Sequence, residues 1–281
     1  MTVKKRILAL TTASLVLAGA LTACGGQSAT PEETGDSTTP VESTGGTEKV
    51  YHIVADNAFA PFEFLDEATG EYTGVDMDLL AAIAEDQGFQ YTVDNCGWDA
   101  ALGNLQAGLA DGMIAGMSIT DERRESYDFS DSYYDGGQIM LVKGDSTIAS
   151  YEDLAGLTVA VKTGTQSATF AQSIAEEYGF EVVTYKDSPA VYAAVAGGID
   201  AAGFEDYAVI AYQIQNQSLD LKVVGEQENI TPYGFAVLKG QNPELIEMFN
   251  AGLANIRESG QYAEIMAKYG IEVLACTSRS S

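Results

Sequence analysis

Arg123 closes the stretch Ala115-Gly116-Met117-Ser118-Ile119-Thr120-Asp121-Glu122-Arg123, whose residue types suit the capture of a carboxylate. A guanidinium presents a planar fork of donors that meets both carboxylate oxygens. The Ser118 hydroxyl and backbone N–H groups near Gly116 would complete such a cage. The same residues also fit a surface loop with Arg123 paired to Asp121 or Glu125, and at this point both readings stand. A second polar pair, Glu205-Asp206, follows another short apolar run.

These residues need elements to hold them. Gly112 to Ala115 reads as a buried strand that breaks at Gly116. Before it come a strand over 51–55 ended by Asp56-Asn57, and a helix from Val75 with Asp76 and Asp78 in its first turn, where acidic residues suit the dipole. Gly88 ends that helix. A strand over 89–93 and a helix over 98–107, closed by Gly108, follow. The second half repeats the pattern: a strand over 157–161, a helix over 165–178 ended by Gly179, and a strand over 181–185. A helix over 188–196, a strand over 199–204, a helix over 207–215 and a strand over 221–224 complete it. Such alternation predicts an α/β fold with mainly parallel sheets.

Ala107-Gly108-Leu109-Ala110-Asp111 is echoed by Ala196-Gly197-Gly198-Ile199-Asp200. Each segment follows an Ala-rich helix and precedes a short apolar strand with polar residues behind it. Ligands in open α/β sheets lie outside the carboxyl ends of the strands. Two lobes would thus present polar loops to one cleft.

The chain has 281 residues and a formal net charge of −27. That charge argues against nucleic acid and against an electrostatic grip on anionic lipid. Lys4, Lys5 and Arg6, an apolar run over 7–21 and Leu21-Thr22-Ala23-Cys24 form a secretory signal pattern over 1–23. The apolar run is short for spanning a bilayer. Residues 24–49 are rich in Gly, Ser, Thr, Pro and Glu and read as a flexible tether with a reach of roughly 25–30 Å. Cys96 and Cys276 remain, as a disulfide or as two thiols. His52 is the only histidine, so no Cys/His spacing points to a metal, and no cofactor is expected.

The ordered motifs Asp56-Asn57-Ala58-Phe59-Ala60-Pro61-Phe62-Glu63-Phe64, Gly74-Val75-Asp76-Met77-Asp78, 115–123, Asp128-Phe129-Ser130 with Tyr133-Tyr134, Asp153-Leu154-Ala155-Gly156, Lys162-Thr163-Gly164-Thr165 and Phe204-Glu205-Asp206 resemble the bacterial extracellular solute-binding proteins of family 3 over roughly 50–271. Leu21 to Cys24 resembles a lipobox, with Cys24 the lipidated residue. The resemblance implies a two-lobed fold with hinge crossings at 136–142 and 231–237. Lobe one would be 50–135 plus 234–276, and lobe two 140–230. It implies that Arg123 holds a ligand α-carboxylate with Ser118, Gly116 and Thr165. Asp206 would hold the α-ammonium. Phe59 and Trp98 would be aromatic walls, with Phe62 in the core, and Asp56 and Lys162 would lie near the ligand side chain. The implied protein is a monomeric amino-acid receptor, lipid-anchored outside a Gram-positive cell and feeding an ABC permease. Glutamine or a similar polar amino acid is favoured over arginine or lysine. A dehydratase on the same fold, with Glu205 and Lys162 as acid and base, and a sensor for a membrane kinase are the alternatives.

Overall fold

The structure is a computed structural model that describes residues 49–271. The chain opens with β1 (Val50–Ala55) and a small antiparallel sheet of β2 (Ala58–Phe59), β3 (Glu63–Asp66) and β4 (Glu71–Thr73). Then come α1 (Val75–Gln87), β5 (Gln90–Asn95), α2 (Trp98–Gln106), β6 (Gly112–Met113), α3 (Asp121–Arg124) and β7 (Tyr127–Phe129). The long β8 (Tyr134–Lys143) leads into β9 (Thr158–Lys162), α4 (Gln166–Tyr178), β10 (Glu181–Tyr185), α5 (Ser188–Ala196), β11 (Ala202–Asp206) and α6 (Tyr207–Gln217). The second long strand is β12 (Leu221–Tyr233), followed by β13 (Ala236–Leu238), α7 (Pro243–Ser259) and α8 (Gln261–Lys268).

Two five-stranded sheets result, ordered β5-β1-β6-β13-β7 and β10-β9-β11-β8-β12. In each, four strands run one way and one is reversed: β13 is antiparallel to both β6 and β7, and β8 to both β11 and β12. The fold is therefore α/β, and each sheet is parallel only in part. The two lobes share one scheme, and the segments 107–111 and 196–200 fall at equivalent points, between the second helix and the third parallel strand. Gly108 and Gly198 both adopt positive φ, 67° and 69°.

Alternation along the strands builds a core on both faces of each sheet. In β1, Ile53 joins the cluster with Leu79, Leu80 and Phe249, while Val54 joins Trp98, Leu105 and Met113 on the α2 side. In β8, Ile139 and Leu141 pack with Val191 and Ile210, while Met140 and Val142 face Ala168 and Phe204. The period of two in the sequence is what assigns these residues to opposite faces.

The chain leaves the first sheet after Phe129 and enters the second at Tyr134; it returns between Tyr233 and Ala236. The expected crossing at 136–142 overlaps β8. Gln138 to Val142 register with Asp206 to Ala202, inside the second sheet, because β8 is one unbroken strand. The return falls within the expected 231–237. The strand expected over 221–224 runs on to Tyr233, pairing with β8 past irregularities near Glu228. Gly112 to Ala115 contributes only two residues of strand, and Ile199, read as a strand residue, is an exposed turn residue. The signal segment, Cys24, the tether up to residue 48 and Cys276 lie outside the described residues.

Gly74 seats α1 against the small sheet. Its φ is 133°, and a Cβ would lie 2.0 Å from the Phe62 carbonyl oxygen. Asp76 N–H donates to that same carbonyl at 2.9 Å. Gly74→Ala is expected to lower stability by about 2–4 kcal/mol, through both the clash and the conformation. Chemical denaturation checks this; a loss below about 0.5 kcal/mol, the range of an ordinary surface change, would contradict it.

Candidate functional site

The carboxyl ends of the parallel strands in both lobes face one cleft, lined by Phe59, Trp98, Ala115, Gly116, Ser118, Arg123, Lys162, Thr165, Gln166 and Asp206. Eight of the nine ligand-contact residues expected from sequence thus come together. The ninth, Asp56, does not line the cavity itself and pairs with Lys162, which does. Phe59 faces the cleft, while Phe62 is fully buried among Tyr134 and Tyr233. Between the walls remains about 20 Å3 for the centre of a water-sized sphere, room for about one water. The cleft is narrow here.

Local structure explains the aim of each group. The Thr120 side chain caps α3 by accepting from Arg123 N–H at 3.2 Å. The stretch read as a loop thus ends in a helical turn that fixes Arg123. Its guanidinium pairs with neither Asp121 nor Glu125. Nη1 donates to the Ser118 carbonyl at 2.9 Å and Nη2 reaches across the cleft to the Gly164 carbonyl at 3.1 Å. The group also lies 5.3 Å from the Trp98 ring centroid.

The Gly116 N–H, expected to help hold a carboxylate, is already committed. It donates to Asp76 Oδ2 at 2.8 Å. Gly116 instead lets the backbone pass close over Phe59, since a Cβ there would lie 2.5 Å from that ring. Thr165 spends its hydroxyl on the turn, donating to the Lys162 carbonyl and accepting from Ala168 N–H. Its contribution to the cleft is the N-terminus of α4, with Gln166 beside it. Gln166 was not read from the sequence; its only signal is its place just after the Thr165 cap.

Asp206 occupies the N-cap position of α6 and its side chain caps nothing there. Instead it is buried and accepts from Gln138 Nε2 at 2.7 Å. Burial and the neighbouring Glu205 carboxylate push it from an ordinary 3.8 up to about 7. Glu205 meets neither solvent nor the cleft wall. It accepts from Tyr192 Oη at 2.9 Å and from Asp206 N–H at 3.0 Å. Lys162, which a sequence leaves free to be a solvated strand end, is 3% exposed and forms an ion pair with Asp56 of the opposite lobe. Burial alone would lower its ammonium; the Asp56 carboxylate reverses that and the net shift is upward.

The cleft therefore carries a guanidinium from one lobe and a carboxylate from the other, neither joined to an opposite charge by a hydrogen bond, beside an ion pair satisfied within the protein. Among the described residues no group of three His, Cys, Asp or Glu is placed to hold a metal ion, and no helix is long and apolar enough to cross a membrane.

A two-lobed α/β protein with a charged, aromatic-walled cleft between its lobes is a binding protein that closes on a small solute. Residues 51–272 match the bacterial extracellular solute-binding proteins, family 3, and the chain belongs to that family. It is 33% identical to a probable histidine-binding protein of Neisseria gonorrhoeae, over 89% of this chain and 90% of that one. Among solved structures it resembles an ancestral arginine-binding protein bound to arginine, with 36% identity, a TM-score of 0.72, and coverage of 79% of this chain and 98% of the other. The second substrate-binding domain of Lactococcus lactis GlnP in open conformation is 42% identical over 80% and 96% of the two chains, with a TM-score of 0.58.

Asp206 and Asp76, pushed up to about 7 and about 6, bind protons in the fold that the unfolded chain releases at lower pH. Between about pH 4 and pH 7 the folded state therefore holds more protons, and stability from these groups falls as pH rises. With solute removed, the melting temperature should be higher at pH 5.5 than at 7.5. Asp206→Asn should reduce that difference; an unchanged difference would remove Asp206 from the account.

Proposed function

We propose that the protein is an extracytoplasmic receptor for one polar α-amino acid, which it delivers to an ABC importer. The observation that carries this is the facing of Arg123 and Asp206 across the cleft from opposite lobes. A zwitterion needs a fixed cation for its carboxylate and a fixed anion for its ammonium, each costly to bury unpaired. A ligand bound to both bridges the lobes and favours the closed state by its differential contacts. Binding fits the site better than catalysis. Lys162 is tied to Asp56, and Glu205 is held by Tyr192 and the Asp206 amide, so neither is free as an acid or base.

The side-chain end favours a neutral amide such as glutamine. Lys162 lines that end and is held there by Asp56, so a neutral polar group can accept from its ammonium. A lysine or arginine side chain would bring a second positive charge beside Lys162. Relatives are named for histidine, glutamine and arginine, so chemistry at this end decides among them. Attachment through lipid on Cys24, with 24–49 as tether, places a monomeric receptor at the outer face of a Gram-positive membrane. The signal pattern supports this reading, and Cys24→Ser should then release the protein into the medium.

Calorimetry on stripped protein tests the ligand: glutamine should bind more tightly than arginine. Arginine binding the tighter of the two would overturn the neutral-amide reading, and no binding by any amino acid would overturn the receptor. Arg123→Ala should cost about 2–5 kcal/mol of affinity, roughly thirty- to several-thousand-fold. Its melting temperature should stay near the parent's, which separates a ligand contact from a structural one. Affinity should also fall as pH drops below about 7, because the ammonium needs Asp206 ionised and must displace its proton. Asp206→Asn should bind weakly and lose that pH dependence.

A further inference from the structure

Behind the cleft lie two carboxyl groups that no cation neutralises. Glu63, on β3, and Asp76, in the first turn of α1, are both 0% exposed. The two side chains meet each other. Asp76 Oδ2 is well supplied: it accepts from Gly116 N–H at 2.8 Å and from Tyr133 Oη at 3.0 Å. Three oxygens beside it are not. Asp76 Oδ1 and both Glu63 oxygens are buried with no hydrogen-bond partner. Of the other charged groups facing Glu63, Asp56 repels a second negative charge, and Lys162 is already committed to Asp56.

Two adjacent carboxylates cannot both stay ionised in so dry a place; one proton between them removes the repulsion and supplies a donor. The hydrogen bonds decide where it sits. Asp76 receives two donors and is stabilised as the anion, while Glu63 receives none. We propose that Glu63 is a positioning residue that carries a proton at neutral pH and donates it to Asp76 Oδ1, so that an ionised Asp76 holds the Gly116 N–H and with it the segment bearing Ser118 and Arg123. Burial followed by the nearness of Asp76 raises the Glu63 carboxyl well above its ordinary range, which agrees. Tyr133 Oη also lies 3.2 Å from the Gly116 nitrogen, so the segment leading into β8 meets the same knot. The knot thus joins the cleft wall to the crossing between the lobes.

Infrared spectroscopy of the full chain at pH 7 should show the carbonyl stretch of a neutral carboxylic acid that persists at pH 8 and vanishes in Glu63→Gln. This measurement needs no ligand, so it stands apart from the amino-acid reading, on which the affinity readout rests. Glu63→Gln keeps a donor toward Asp76 and should bind within about threefold of the parent, whereas Glu63→Ala leaves buried Asp76 Oδ1 bare and should bind about tenfold or more weakly. Should Glu63→Ala fail to fold, the infrared band and the affinity of Glu63→Gln still decide. Absence of a neutral-acid band removed by Glu63→Gln would overturn the proton; loss of affinity about tenfold or more in Glu63→Gln would overturn the positioning role.

Discussion

A buried charge must meet an opposite charge or a full set of hydrogen bonds, and this constraint organises the whole cleft. Lys162 and Asp56 satisfy it for each other across the lobes, each 3% exposed. Glu205 satisfies it with a tyrosine hydroxyl and a backbone N–H. Arg123 and Asp206 satisfy it only with neutral groups: two carbonyls for the one, a glutamine amide for the other. In the proposed binding mode a zwitterion would complete both at once.

The fold supplies that arrangement by repetition. Asp56 follows β1, Lys162 ends β9 and Asp206 ends β11, all at the carboxyl ends of parallel strands. The parallel strands leave helix N-termini on the same side, so Trp98 and Gln166 enter from the starts of α2 and α4. The matching strand order in the lobes then sets two such edges against each other. Only β8 and β12 cross between them, paired at Tyr134 and Tyr233 close to the crossings. Ser118 bridges to Tyr233, which ties the ligand segment to the return crossing.

Groups placed by local pattern were legible in the sequence. Arg123, Ser118 and Asp206 could be read because polar residues directly behind a buried strand fall at a sheet's edge. The repeat at 107–111 and 196–200 could be read because the same helix-to-strand turn is built twice. What the sequence hid depends on distant partners. Lys162 looks like a solvated strand end until Asp56, 106 residues away, is brought against it. Gly116 looks like a free donor until Asp76 takes its N–H from 40 residues away. Glu63 gave no signal, since a single Glu in an apolar run does not reveal that its neighbour in space is another carboxyl group.

The narrow cleft also sets a reference against which a ligand must be measured. Arg123 Nη2 already reaches the Gly164 carbonyl of the other lobe, so closure without a carboxylate retains one charge-assisted contact. Such bonds contribute about 1.5–3 kcal/mol net. A carboxylate that displaces Gly164 gains only the difference, and Arg123 alone then gives weak coupling between binding and closure. The Asp206 side chain accepts from Gln138 of its own sheet, with the Tyr233 hydroxyl of the return crossing beside it. In the proposed binding mode a ligand ammonium would bring Asp206 the opposite charge that these neutral groups do not. A ligand shifts the lobes only by the contacts that differ between open and shut states. In the proposed binding mode each end of the ligand would therefore couple to closure only through what it adds beyond the contacts already made by Arg123 and Asp206.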